Sequence, residues 1–350
     1  MNTHELALLR VANHRLADRS FASALDIVSW MGALQGQDYA ASLAAVCARS
    51  FHLLKADVED SLRNGEVVRT WTMRGTLHLV PARDVAWMTR LLARRSVNAA
   101  LARYRQLGLD YKDLERGRRL FEEALMGGRQ LTRPELYAAM VEAGLRPGGQ
   151  RGIHLIGYAA QTGLICGTGT IGKQPAFALI DHWVPDAVHL SDEEGLGEIA
   201  WRYIRSHGPV TVHDFAWWIG GTVAQAKLGF AMNESKIGTI NVDSIAYVRP
   251  RSENVADAAV DGTYLLPPFD EILLGYRDRT AILGGVELER VVPGRNGIFR
   301  PIILHNGRIC GTWRRPAKPA DGPEFTFFGN ESEPSRSALE RAWDVVRQRG

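Results

Sequence analysis

The stretch Leu34-Gln35-Gly36-Gln37-Asp38-Tyr39 gathers two neutral amides and a carboxylate within four residues. A glutamine carbonyl accepts a hydrogen bond from water and its amide donates one. A pair of them can therefore orient an attacking water, and orientation alone lowers a barrier. Neither is a strong acid or base. By itself the Gln-x-Gln spacing is too frequent to prove anything. Asp38 has two readings, a general base beside the pair or the N-cap of a helix beginning at Tyr39, and the cap is the preferred one.

Other chemistries find little support. The 10 histidines form no HxxxH or HExxH pair, so no metal is expected. The three cysteines, Cys47, Cys166 and Cys310, are widely spaced and odd in number. They fit neither a disulfide framework nor an iron–sulfur cluster, which takes about four. No Gly-rich loop follows a strand and opens a helix, so no nucleotide cofactor is expected. No apolar run approaches the roughly 20 residues that span a bilayer. The amphipathic, charged N-terminal stretch lacks a signal-peptide block, so a cytoplasmic protein away from membranes is expected.

The charge map is uneven. The chain carries +3 overall, but residues 61–119 hold 13 Arg or Lys against 5 Asp or Glu. Residues 181–290 hold 9 against 17, and residues 291–320 hold 6 basic residues and no acid. Cations concentrated within a near-neutral total point to a directed polyanion face. The cations are overwhelmingly arginine, whose planar fork suits phosphate.

The elements that must carry these residues repeat. Leu131-Thr132-Arg133-Pro134-Glu135-Leu136 and Val210-Thr211-Val212-His213-Asp214-Phe215 share an apolar residue, Thr, two residues, an acid and an apolar residue. The Thr and the acid three residues later make a capping box. Pro134 is tolerated in a first turn. Helices are predicted over 113–126, 133–143 and 151–162, and again over 191–206, 212–219 and 222–231. Strands Gly163–Thr168 and Pro175–Ile180 follow the first set, joined by a Gly-rich turn at 169–174. Thr239–Val248 follows the second, with a break near Asp243. A helical triplet followed by a hairpin is the winged-helix order, which suits DNA. Helices over 4–17, 23–33, 39–49 and 57–64, then strands Val67–Met73 and Thr76–Val80, fit a looser first copy. The remainder reads as β-rich, with strands Tyr264–Leu266, Ala281–Leu283, Gly297–His305 and Arg308–Trp313, the last two flanking Asn306-Gly307, a strong hairpin signal. A final helix is predicted over 335–348. The reading is an α+β fold: three tandem winged-helix domains at 1–110, 111–190 and 191–260, and a β-rich C-terminal region at 261–350.

Four blocks together resemble the AlkZ-like winged-helix DNA glycosylases: the Gln35-x-Gln37 motif, TWTMRGTLHLVPARD at 70–84, LLPPFDEILLGYRDR at 265–279 and GIFRPIILHNGRICGTWRR at 297–315. They span nearly the whole chain in order. The resemblance implies tandem winged helices with a concave DNA-binding surface, release of N7-alkylated purines, and in some members the unhooking of interstrand crosslinks. It places Gln35 and Gln37 at the catalytic centre, in the branch that keeps the second Gln rather than Asp. Neutral residues suit such substrates, because an N7-alkylpurine is already cationic and its glycosidic bond already activated. Asp38 and His78 are candidate supports, His78 through a phosphate or the base pocket. Arg69, Arg74, Arg314 and Arg315 are candidates for phosphate contacts. Only six lysines are present, and none sits in the resembling blocks, with Lys55 the one nearby, so a nucleophilic amine and a lyase step are not expected.

The expectation is thus a monomeric, cofactor-free, monofunctional glycosylase acting on double-stranded DNA in repair or genotoxin resistance. Two other readings stand beside it. A non-catalytic winged-helix transcription regulator would keep the basic faces but need no Gln pair. An architectural protein would recognise bent or damaged DNA without cutting it.

Overall fold

The computed structural model describes residues 1–251, 262–295, 297–316, 318, 321–329 and 333–349. The expected domain boundary at 260/261 lies outside them. In chain order the first elements are α1 (Thr3–Asn13), α2 (Ala24–Met31), the two-residue β1 (Leu34–Gln35), α3 (Tyr39–Cys47) and α4 (Lys55–Arg63). Then come β2 (Val67–Trp71), β3 (Leu77–Pro81), α5 (Val85–Leu92), α6 (Arg94–Gln106), α7 (Tyr111–Leu125), β4 (Leu131–Thr132), α8 (Arg133–Glu142) and α9 (Arg151–Gln161). Next are β5 (Ile165–Ile171), β6 (Gln174–Leu179), α10 (Ile180–Trp183), α11 (Asp192–His207), α12 (Val212–Ile219), α13 (Val223–Ala231), β7 (Ile237–Val242) and β8 (Ile245–Pro250). The chain closes with β9 (Thr263–Leu266), α14 (Glu271–Leu274), α15 (Thr280–Leu283), β10 (Ile302–His305), β11 (Arg308–Arg314), β12 (Glu324–Phe327) and α16 (Arg336–Gln348). This mixture of helix and strand is the α+β class expected from the sequence.

The chain divides into two compact units. One contains Met1–Val58, Gly197–Trp218 and Thr222–Gly350; the other contains Glu59–Leu196 and Ile219–Gly221. In the second unit five strands hydrogen-bond in the order β3-β2-β5-β6-β4. The β2–β3 turn places Arg74 and Gly75 at φ 54° and 71°, consistent with a tight hairpin. The sheet is stitched at Arg69↔Gly167. A side chain at Gly167 would put its Cβ 2.5 Å from the Arg69 carbonyl oxygen, so the strands close here only because the residue is glycine. Helices α7, α8 and α9 bury Leu114, Phe121, Leu136, Met140, Leu155 and Ile156 against the sheet residues Ile165 and Phe177. The Thr132 capping box forms as its sequence demands, with the Glu135 carboxylate returning to the Thr132 N–H.

In the first unit β12-β11-β10-β9 form an antiparallel sheet whose side chains alternate between two cores. Leu266, Ile302 and Leu304 face a cluster with Leu6, Val11 and Ile282, while Leu265, Ile303 and Trp313 face Leu339 and Ala342 of α16. Asn306 and Gly307 turn between β10 and β11 at φ 46° and 78°. Segment 239–248, read as a broken strand, is a hairpin of β7 and β8 turning at Asp243 and Ser244, both at positive φ.

Residues Ala281–Leu283, expected to be a strand, are helical. A three-residue apolar run has no periodicity to decide the matter. Its flanks decide it: Asp278 accepts from the Thr280 N–H and hydroxyl, and Gly284 ends the turn at φ 57°. The strand expected from Gly297 begins only at Ile302, and β4 and β12 were not anticipated.

Candidate functional site

The Gln turn lies in the first unit. The chain leaves α2 through Gly32, at φ 78°, where an added Cβ would stand 3.3 Å from the Ile199 side chain. Gln35 then ends β1, with its backbone N–H donating to Glu271 Oε1 at 3.0 Å. The Gln35 side chain folds back, and its Oε1 accepts the Gln37 backbone N–H. Because only the oxygen can accept from an N–H, this contact also fixes which way the Gln35 amide points. Gln35 is half-buried, Gly36 buried and Gln37 exposed. The two amides therefore differ in use: Gln35 braces the turn, and Gln37 is presented to solvent at its apex. Asp38 Oδ1 accepts the Ala41 N–H at 2.9 Å and caps α3.

Beneath the turn lies a polar network that sequence reasoning did not single out. Glu271 is 1% exposed, and its second oxygen accepts the Trp218 indole N–H at 3.1 Å. Its neighbour Asp270 takes both Nη atoms of Arg49 at 2.9 Å, in a bidentate pair with side-chain exposures of 0% and 1%. The segment from Gln35 to Arg49 is thus held at its two ends by two consecutive carboxylates. Further hydrogen bonds offset the desolvation of a buried ion pair. Here Arg49 also donates to the Ala45 carbonyl, and Asp270 accepts the Ile272 N–H, which leaves Arg49 Nε as the one guanidinium nitrogen without a hydrogen bond.

Proton positions in this network follow from its partners. Tyr276 donates its hydroxyl to the His207 carbonyl, so it accepts from His14 Nε2. His14 is thereby protonated at Nε2 and accepts from Arg49 at Nδ1, which is the neutral form. Burial, with the nearby His207, Arg49 and Arg10 charges, drives its pKa well below the ordinary histidine value. Ser206 donates to the Arg202 carbonyl, so His207 Nδ1 donates to Ser206, and His207 Nε2 faces Glu271 Oε2 at 3.7 Å. Burial lowers the His207 pKa, against the opposing pull of Glu271.

Arg314 and Arg315, both exposed at the end of β11, line a cavity in this unit together with Asp38. Arg69, Arg74 and His78 belong to the other unit, on β2, the β2–β3 turn and β3. Arg69 and Arg74 are half-buried. His78 is enclosed, with Nδ1 3.0 Å from the Thr76 carbonyl and 3.1 Å from the Thr72 hydroxyl, so it braces the hairpin turn. Among the described residues no cluster of His, Cys, Asp or Glu is placed to hold a metal ion, and no helix is long and apolar enough to cross a membrane.

The AlkZ-like family model, described as DNA glycosylase AlkZ-like, matches residues 28–346. The chain belongs to the AlkZ-like DNA glycosylase family. A relative from Streptomyces sahachiroi, described as an interstrand DNA cross-link repair glycosylase, is 24% identical to this AlkZ-like chain over 322 residues, spanning 87% of the chain and 85% of the relative. The solved structure of Streptomyces sahachiroi DNA glycosylase AlkZ superposes with a TM-score of 0.86 at 21% identity, covering 100% of the AlkZ-like chain and 96% of its own. The Gln turn, Glu271 and both C-terminal blocks lie inside the matched range. The buried acids had left a trace in the sequence: Asp270-Glu271 sits between Pro-Phe and Ile-Leu-Leu, an apolar setting where carboxylates need dedicated partners.

Proposed function

We propose that this member of the family hydrolyses the N-glycosidic bond of cationic N7-alkylpurines in double-stranded DNA, interstrand crosslinks included, without a lyase step. The observation that carries the reading is the exposed Gln37 at the apex of a turn held from below by Glu271 and braced by Gln35. A neutral amide cannot protonate a leaving base or neutralise charge on the sugar carbon. It can hold a water in line, which suffices where the base leaves as a neutral molecule from a cationic nucleotide. Selectivity then comes largely from what the site lacks, since unmodified bases are not activated enough to leave. Glu271 acts here as a positioning residue through Gln35.

Three winged helices are the scaffold we infer, over 1–110, 111–190 and 191–260, ahead of the C-terminal region 261–350. The helix, helix, helix, hairpin order of α7, α8, α9, β5 and β6 supports it, as does that of α11, α12, α13, β7 and β8. Arg69, Arg74, Arg314 and Arg315 are the proposed phosphate contacts. A monomer in the cytoplasm completes the proposed reading.

The test is release of N7-methylguanine from methylated duplex by the wild type and by Gln37→Ala. Loss of release with retained duplex affinity is expected. Equal release by the variant refutes the assignment of Gln37, and tight duplex binding with no base release by the wild type refutes the catalytic reading.

A further inference from the structure

The first unit contains a cavity of about 340 Å³ whose chemistry the Gln turn does not explain. One wall is the face of α3 and its C-cap carrying Ala40, Ala41, Ala44, Cys47 and Ala48, small side chains that leave it nearly flat. Tyr264, Leu266, Pro267, Trp313 and Val346 contribute the other apolar surface. Five cations also line it: Arg19, Lys55, Arg314, Arg315 and Arg349. Asp38 is the single carboxylate among the lining residues, and one of its oxygens caps α3.

Local structure accounts for this gathering of like charge only in part: Arg19 lies over the Tyr264 ring and Arg315 over the Trp343 ring. A helix C-terminus favours Arg349, the C-cap residue of α16. Lys55 is the first residue of α4, where the helix dipole disfavours a cation. Arg19 and Arg349 are tied by backbone carbonyls, of Leu16 and Ser50. Burial, with the Arg19 charge nearby, pulls the Arg349 pKa down to about 10, and burial lowers that of Arg19. An anion entering the cavity would relieve that repulsion.

We propose that this cavity binds a nucleoside monophosphate, with the phosphate on the cationic rim and the base along the alanine face of α3. Its volume lies at the lower end of the range for small-molecule sites, the scale of one nucleotide. Tyr264 and Trp313 line the cavity as nearly buried rings, with the Arg19 guanidinium over Tyr264, so the base meets aliphatic wall and a planar guanidinium on which it can stack. An N7-alkylpurine nucleotide is disfavoured, because its cationic base would add to the positive charge of the lining. The nucleotide belongs either to a DNA strand passing Asp38 or to the free mononucleotide pool. The proposal stands independently of the Gln37 assignment, because its test uses no lesion and no base release.

The experiment is calorimetric titration of the full chain with dGMP, and separately with deoxyguanosine, inorganic phosphate and decanoate. Saturable dGMP binding at least tenfold tighter than that of the other three is expected. Arg349→Gln and Arg19→Gln should each weaken it tenfold or more, and Ala44→Phe, which fills the cavity, should abolish it. Ala44→Phe could disturb folding, so the two arginine variants, checked for an unchanged melting profile, carry the decision. A duplex with a single-stranded tail that displaces dGMP assigns the site to strand nucleotides; failure to displace assigns it to the free mononucleotide. Absence of dGMP binding overturns the proposal, as does tighter binding of decanoate or wild-type affinity in folded arginine variants.

Discussion

Replacing Glu271 by Gln changes one oxygen for an NH2 and leaves the shape intact. In the wild type Oε1 accepts from the Gln35 N–H and Oε2 from the Trp218 indole. A glutamine has a single carbonyl oxygen, so in either orientation one of these donors faces an NH2 group. A buried donor left unsatisfied costs about 1–3 kcal/mol. At roughly 2–4 °C per kcal/mol for a unit of this size, the midpoint of thermal unfolding should fall by about 2–12 °C. A double-mutant cycle isolates the cause. Trp218→Phe removes the indole donor, so an added Glu271→Gln can turn its oxygen to Gln35 and its NH2 toward His207 Nε2, and neither backbone nor indole N–H is left facing a donor. In the Trp218→Phe background the substitution should then cost less, by about 1–3 kcal/mol of non-additivity. Single-turnover base release should fall in Glu271→Gln, while duplex affinity holds, because the residue acts on the turn and not on DNA. Additive stabilities, or an unchanged melting midpoint with unchanged release, would show that Glu271 does not hold the Gln turn.

Other perturbations have equally definite expectations. Asp270→Asn leaves Arg49 charged and buried against a neutral amide, which should cost about 3–5 kcal/mol in urea unfolding; a loss under about 1 kcal/mol would mean that the pair is not formed in solution. His14 stays neutral when folded but titrates near 6.5 when unfolded, so the unfolded chain binds more protons below that pH. Stability is therefore complete above pH 6.5 and is lost as pH falls, by up to about 1.4 kcal/mol per pH unit; a His14→Gln variant with the same pH slope would refute the assignment. If Arg314 and Arg315 each neutralise a phosphate, changing both to Gln should reduce the slope of log K against log salt by about 1.8. An unchanged slope would remove them from the DNA contact.

How far the sequence revealed this arrangement depended on the range of the signals. Thr132 and Glu135 lie three residues apart and cap α8 as expected, because a capping box is complete within one turn. Asn306-Gly307 likewise fixes its hairpin through its own backbone conformation. Ala281–Leu283 was misread because its fate rests on Asp278 and Gly284 at its flanks and on none of its own side chains. The Gln turn was legible as a motif, but the division of labour between Gln35 and Gln37 was not. That division depends on a carboxylate 236 positions along the chain. The cavity cations are likewise dispersed from Arg19 to Arg349, with only Arg314 and Arg315 adjacent.

If Gln37 is the catalytic amide we propose, the burial of two adjacent acids becomes intelligible from the weakness of that catalyst. A strong general base tolerates some play, because proton transfer supplies driving force of its own. A neutral amide contributes geometry alone, and a misplacement near 1 Å can cost about a hundredfold. The turn at Gln35–Gln37 is short, contains a glycine and exposes Gln37 at its apex, so its own sequence would leave it loose. Anchoring Gln35 to Glu271 and Arg49 to Asp270 transfers the rigidity of a buried network to both ends of the segment that carries it. Asp38 then fixes the intervening helix by capping α3. On this argument the desolvation of two carboxylates is what allows an uncharged side chain to be placed finely enough to matter. The Gln37 amide and the Glu271 carboxylate should therefore behave as one unit, with base release lost to a similar degree when either is replaced and little further when both are.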